Sequence, residues 1–402
     1  MRLRTAVLAV VVAVAVACAG PDTAVSSDEA PVLEVGEAGA IPAFEYDPTW
    51  PAALPNNWMT GPIGAMAIDA QDHIWVIQRP SGTTNLSERY GLEGLAECCF
   101  PAPPVLEFDQ AGTLVQSWGP IHDNKGMLLG SQVWGPAPDV EWPLSEHGLY
   151  VDHQDTVWVG NQSPPSQILR FSRDGRFLMR IGQGEATGND DTANLAGPTG
   201  IVVDSSTNEI FVADGYRNRR VIVFDADTGD YKRHWGAYGK VPPDGPKGGE
   251  PIEGPYTADV VLQNFATVHC LMMSADGLLY VCDRRNNRIQ VFQKDGTFVA
   301  EAELAQSKGF GAVHAIGFSH DPEQTFVYVA DGANKKVWIL RRDGLETVGS
   351  FSQGGRGGGQ LLVAHALAVD SQGNVYVGET INNNRVQKFR FVGMRGAPAA
   401  SE

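Results

Sequence analysis

Four of the nine histidines in this 402-residue chain open segments rich in Val, Ile and Tyr: His147 in EHGLYVD, His269 in VHCLMMSADGLLYVCDR, His314 in VHAIGF and His365 in AHALAVDSQGNVYVG. A lone histidine in such a place reads as a core residue bonded to a backbone carbonyl. Periodic placement reads as a ligand set, because three neutral imidazoles form one face of a tetrahedral zinc site and leave the fourth position for substrate or water. Zinc is preferred to copper or iron, since the pattern offers no thiolate, thioether or carboxylate. Three further residues stand where comparable segments carry Gly, Ala, Thr or Ile: Arg79 in IWVIQRP, Tyr216 in ADGYRN and Arg284 in CDRRNN. Two guanidiniums could grip a carboxylate through forked donors and favour the phenolate form of a nearby phenol, which makes Tyr216 a candidate general base.

The elements that must position these groups recur along the chain. Six segments, starting near residues 64, 147, 199, 269, 314 and 365, repeat the order strand, polar turn, strand, Asn/Arg-rich loop, strand, with Gly64, Gly148, Gly200, Cys270, Ala315 and Ala366 at comparable positions. Repetition of one small sheet, with turn signals between the strands and no helical periodicity, predicts an all-β fold, a six-bladed β-propeller. Residues near 43–48 are expected to supply the outer strand that the sixth unit lacks. First strands line the channel of a propeller, so the histidines cluster at one mouth. His147, His269 and His365 fall in alternate blades, a third of a turn apart, while His314 in blade five becomes a second shell or substrate contact. Antiparallel pairing brings Arg79, Tyr216 and Arg284 to the same mouth. Asp214, Asp283, Asp331 and Glu379 end second strands, and Arg220, Arg288, Lys336 and Arg385 precede third strands, a spacing suited to charge-assisted loop ties.

Composition narrows the function further. Thirty Lys plus Arg against 47 Asp plus Glu give a net charge of −17, which would repel a nucleic-acid backbone. Arg2 and Arg4 precede an apolar run, Thr5 to Ala17, that is too short to span a bilayer and ends at Cys18. The chain is therefore expected to be exported, either as a bacterial cell-envelope lipoprotein anchored through Cys18 or as a secreted protein, meeting membrane only through that lipid. The predicted organisation is a signal peptide over 1–18, a polar tether over 19–42, the propeller over 43–392 and a tail over 393–402. Four cysteines remain. Cys270 and Cys282 flank the turn at Asp276 symmetrically, so a hairpin there would set them opposite one another as a candidate disulfide; Cys98 and Cys99 are adjacent, with their state left open.

The segments DRRNNRIQVF and ETINNNRVQKF resemble the NHL repeat. From about Gly61 to Arg390, the chain resembles the lyase domain of the peptidylglycine α-amidating enzymes, peptidyl-α-hydroxyglycine α-amidating lyase. The resemblance implies a catalytic zinc on His147, His269 and His365, with Tyr216 and the two arginines, Arg79 and Arg284, at the active site. The implied reaction cleaves the C–N bond of an N-acyl-α-hydroxyglycine to an amide and glyoxylate, on a small-molecule or peptide substrate with a terminal carboxylate. The family also holds a calcium ion in the channel, on carbonyls corresponding to Met66 and Leu149 and on an Asp directly after the third histidine. Ala366 occupies that place here and leaves calcium without its charged ligand. Val363 replaces a family methionine, the family's disulfides are not reproduced, and the copper monooxygenase partner domain of the animal enzymes has no counterpart. Two alternatives stay open: a related zinc enzyme acting on another hydroxylated or carboxylated small molecule, and a non-enzymatic cell-surface propeller for binding or scaffolding. A monomer is expected, because a closed propeller leaves no obligatory edge to pair.

Overall fold

The computed structural model describes residues 39–80, 94–122, 128–134, 142–242, 263–304 and 310–396. The signal peptide, Cys18 and most of the tether lie outside the described residues. Within them no helix is long and apolar enough to cross a membrane.

Six antiparallel sheets form the blades of a propeller. Their innermost strands are Ile63–Ile68, Glu146–Val151, Pro198–Asp204, Val268–Met273, Ala315–Phe318 and Ala364–Val369. Blades two to five run outward in chain order. Blade six is completed from the other end of the chain, where Ala40–Asp47 pairs with Val386–Gly396. That strand begins three residues before the predicted boundary, and its partner runs four residues past the predicted end at 392. Blade one carries a fifth strand, Leu128–Trp134, because the long connection to blade two folds back onto Leu114–His122.

Burial follows strand position. Second strands such as Ile74–Gln78 and Glu209–Asp214 are buried at every residue, being covered on both faces by neighbouring blades. The outer strand Phe298–Glu303 alternates between half-buried and exposed, as a strand facing solvent should. Apolar side chains gather into six cores, one at each junction between blades. Blade six joins blade one, for example, through Ile63, Met66, Ala366 and Tyr376.

Polar residues tie the loops. Asp69 accepts the Trp75 indole N–H and Asp152 that of Trp158, each at 2.8 Å, while Asp370 takes the Tyr376 hydroxyl at 3.0 Å. Three of the four expected loop ties form: Arg220 to Asp214 at 3.0 Å, Arg288 to Asp283 at 3.0 Å and Arg385 to Glu379 at 2.8 Å. Blade five differs. Asp331 accepts the Trp338 indole N–H at 2.8 Å, and the Lys336 ammonium lies over the Trp338 ring, 4.6 Å from its centre. An indole within reach takes the carboxylate, and the lysine turns to the ring face. Cys270 and Cys282 pair across the hairpin as a disulfide, and Cys98 and Cys99 form a vicinal one.

His147, His269 and His365 stand at a β-bulge at the start of their innermost strands. In blade four Val268 pairs with Asp283 and Cys270 with Cys282, leaving His269 as the extra residue. The same shift singles out Thr199 and His365, and in blade two it sets His147 and Gly148 together opposite Gly160. His314 takes the same place before Ala315. A bulge rotates one side chain out of the pleat alternation, here toward the axis. The register also corrects one alignment: the bulge residue of blade one is Gly64, so Ala65, not Gly64, matches Gly148. Both residues are small, so nothing in their side chains marks the one-residue offset.

Candidate metal centre and its surroundings

The rings of His147, His269 and His365 form a nearly equilateral triangle, with centroids 4.7, 4.9 and 5.0 Å apart. One nitrogen from each lies within 4.8 Å of the others, and all three residues are buried. Backbone carbonyls from the following blades set two of the tautomers. His147 Nδ1 donates to Thr199 O at 2.9 Å and His269 Nδ1 to His314 O at 2.6 Å, so each keeps an Nε2 lone pair for a ligand. Thr199 is the bulge residue of blade three, and His314 directly precedes the innermost strand of blade five. Burial, together with the neighbouring arginines and histidines, holds all four imidazoles well below the usual histidine range. They are therefore neutral, the form that binds metal.

Tyr216 completes the arrangement. Its Oη lies 3.1 Å from His147 Nε2 and 3.2 Å from His269 Nε2. A phenol has one proton and can satisfy one of these lone pairs, so the other lacks a donor unless a cation is present. Three buried, neutral imidazoles each bring one nitrogen within 4.8 Å of the others, the donor set of a three-histidine metal site. The residues thus fit a metal ion.

The two arginines reach this mouth from opposite blades with different partners. Arg284 Nη1 donates to Tyr216 Oη at 3.4 Å, and its guanidinium lies 5.5 Å from the tyrosine ring centre and 5.4 Å from that of Phe310. Arg79 Nε donates to Glu146 O at 2.7 Å, and its buried Nη2 has no hydrogen-bond partner among the described residues. Loop packing fixes both sides. Tyr216 N donates to Gly197 O at 3.1 Å, and Gly311, at φ +88°, faces the Arg284 carbonyl so closely that a Cβ would lie 2.3 Å from its oxygen.

All of the residues singled out from the sequence for this mouth converge here. His314 lies beside the triangle, its ring 5.3 Å from His269 and 6.0 Å from His365. Glu146 was not foreseen. It is buried next to His147 and bonded to the Trp142 indole at 2.7 Å, and burial pushes its carboxyl up to about 7. An acidic residue directly before a ligand histidine was the available signal. Phe310 carried no signal of its own. Behind the histidines the channel holds a cavity of about 340 Å³, lined by Met66, Leu149 and Ala366 among others, and none of its described lining residues is Asp or Glu. A second cluster, Asp69, His73 and Glu107, already has its cation: Arg173 bonds Asp69 at 2.7 Å and also Glu107, joining blades one and two.

The chain is similar to several known proteins. The NHL repeat model matches residues 195–224 and 265–292, the stretches that carry Tyr216, His269 and Arg284. The peptidyl-glycine alpha-amidating monooxygenase of Mus musculus is 27% identical over 259 residues, 62% of this chain and 24% of that protein. The probable peptidyl-alpha-hydroxyglycine alpha-amidating lyase of Caenorhabditis elegans is 24% identical over 254 residues, covering 61% of this chain and 64% of its own. The chain thus spans about a quarter of the length of the first curated relatives it matches. A solved streptogramin B lyase overlaps 87% of this chain and 97% of its own, with a TM-score of 0.47 and 11% identity. The chain is thus a six-bladed propeller with NHL repeats, and it is similar in sequence to the peptidyl-α-hydroxyglycine α-amidating lyases and the amidating monooxygenases.

Proposed function

We propose that the protein is a zinc-dependent lyase that cleaves an N-acyl- or peptidyl-α-hydroxyglycine to a primary amide and glyoxylate. The observation that carries this reading is the placement of Tyr216 Oη against two histidine Nε2 atoms and one arginine, with a second arginine left partly unbonded across the mouth. His147, His269 and His365 would hold the zinc, which when bound polarises the substrate's α-hydroxyl and eases loss of its proton. Arg79 Nη2 takes the substrate carboxylate. Tyr216, as the phenolate, accepts the hydroxyl proton while Arg284 stays hydrogen-bonded to its oxygen. The electron pair of the O–H bond then forms the aldehyde C=O, the C–N bond breaks, and the amide nitrogen recovers a proton from Tyr216. Arg79 and Arg284 therefore divide the work that the sequence assigned to both.

In the same reading the protein acts as a monomer, on a small-molecule or peptide substrate. It is exported, with a lipid on Cys18 or as a secreted form, and the N-terminal residue pattern supports this. The reading assigns no role to calcium, whose charged ligand is replaced here by Ala366. The test is glyoxylate release from N-benzoyl-α-hydroxyglycine by the purified protein. Release that stops with a chelator and returns with zinc is expected. No release from zinc-loaded protein overturns the proposal and points to another hydroxylated or carboxylated substrate.

A further inference from the structure

Resting on the lyase reading, we infer that His314 is a substrate-binding residue whose Nε2–H reads the carbonyl of the N-acyl group, with Phe310 beside it as an apolar shelf for the acyl substituent. His314 is 1% exposed, and its Nε2 is buried with no hydrogen-bond partner among the described residues. The Ala312 carbonyl also lies against the ring, but the Gly332 N–H, which can only donate, points at Nδ1 from 3.3 Å, so that nitrogen carries the lone pair. A neutral imidazole then has its proton on Nε2 and is a donor. It is not a fourth metal ligand, since it stands outside the set whose nitrogens lie within 4.8 Å of one another.

Blade five leaves the ground in front of that donor clear. Gly332 directly follows Asp331, as Arg284 follows Asp283. A Cβ at Gly332 would lie 2.8 Å from His314 Cε1 and 3.0 Å from Nε2, so any side chain there would crowd this edge of the ring. The substrate's other polar groups have takers: Arg79 for the carboxylate, and Tyr216 with the metal for the hydroxyl. The acyl carbonyl is the remaining strong acceptor, and an unpartnered buried donor costs free energy until it finds one. Phe310 is 40% exposed and stacks at 34° on His314 with ring centres 5.0 Å apart, offering apolar surface next to the donor.

The experiment compares two uncleavable ligands by calorimetry on the zinc-loaded full-length protein: N-benzoylglycine, and 4-phenylbutanoate, which has CH2–CH2 in place of CO–NH. His314→Phe is expected to weaken N-benzoylglycine by about 5- to 10-fold and 4-phenylbutanoate by less than about 2-fold, with zinc content unchanged. His314→Gln, which keeps a donor, should retain the preference. His314→Leu, which removes the donor with a smaller side chain, should repeat the selective loss and serves if His314→Phe does not fold. Equal weakening of both ligands, no weakening, or binding of neither by wild-type protein overturns the assignment. Failure of the lyase reading shows separately, as a selective loss in binding from a protein that releases no glyoxylate.

Discussion

Gly215 stands between the loop that carries Tyr216 and the strand that carries His269, and the structure makes Gly215→Ala a severe change. A Cβ at this position would lie 2.0 Å from the Val268 carbonyl oxygen and 2.5 Å from both its carbonyl carbon and its nitrogen. Carbon and oxygen pack comfortably at roughly 3.3 Å, so one backbone segment must withdraw by about 1.3 Å. The two segments adjoin Tyr216 and His269, whose Oη and Nε2 are now 3.2 Å apart. Overpacking of this kind costs about 1–3 kcal/mol of stability, and a displacement of about 1 Å at a reacting group costs roughly 100-fold in rate. Glyoxylate release and thermal unfolding of the alanine variant should therefore both fall, the first by about two orders of magnitude. Gly396→Ala is the control, because a Cβ there would meet nothing within 4 Å. A Gly215→Ala protein with wild-type rate and wild-type unfolding midpoint would refute the reasoning.

Other consequences can be measured directly. Tyr216→Phe should lower turnover by about 100-fold or more while leaving zinc content near that of the wild type; parallel loss of both would remove the tyrosine as the base. Replacing Cys270 and Cys282 together with alanine releases a cross-link of sequence separation 12, worth roughly 3 kcal/mol by chain entropy, and an unchanged denaturant midpoint would contradict that. Burial alone would raise the Asp204 carboxyl, but hydrogen bonds from Lys294, Thr207 and Ser206 outweigh it and bring the pKa from 3.8 down to about 2. Its contribution is thus complete above pH 3.8 and lost as pH falls toward 2. Asp204→Asn should cost about 1–2 kcal/mol at pH 7, with the gap to wild type closing through that acid range; a gap independent of pH would exclude this ionisation as its source.

The propeller was legible because each unit repeats its strand and turn residues, and because first strands must line a channel. From that rule alone His147, His269 and His365 come together. The bulge that turns them inward was not legible, since it depends on which residues pair across a hairpin. That is why Gly64, lacking a side chain, was aligned one position off. The spacing of Asp331 and Lys336 matched the other loop ties, yet it could not show that the Trp338 indole reaches the carboxylate first. Nor could it separate Arg79, held by the Glu146 carbonyl, from Arg284, turned onto Tyr216, because both partners are distant in sequence. Phe310 lies outside every repeated motif, so only the packing of its ring on His314 brings it to notice.

The pairing of Ala40–Asp47 with Val386–Gly396 bears on how the chain matures. A contact between strands so far apart in sequence has a high loop-closure cost and forms only once Val386–Gly396 has been synthesised. Blade six also supplies His365, so the three-histidine centre is complete only when the last blade is in place. A nascent chain therefore lacks the complete three-histidine cluster until blade six has been made, and a truncation that removes Ala40–Asp47 leaves an unpaired sheet edge at the outer rim of that blade.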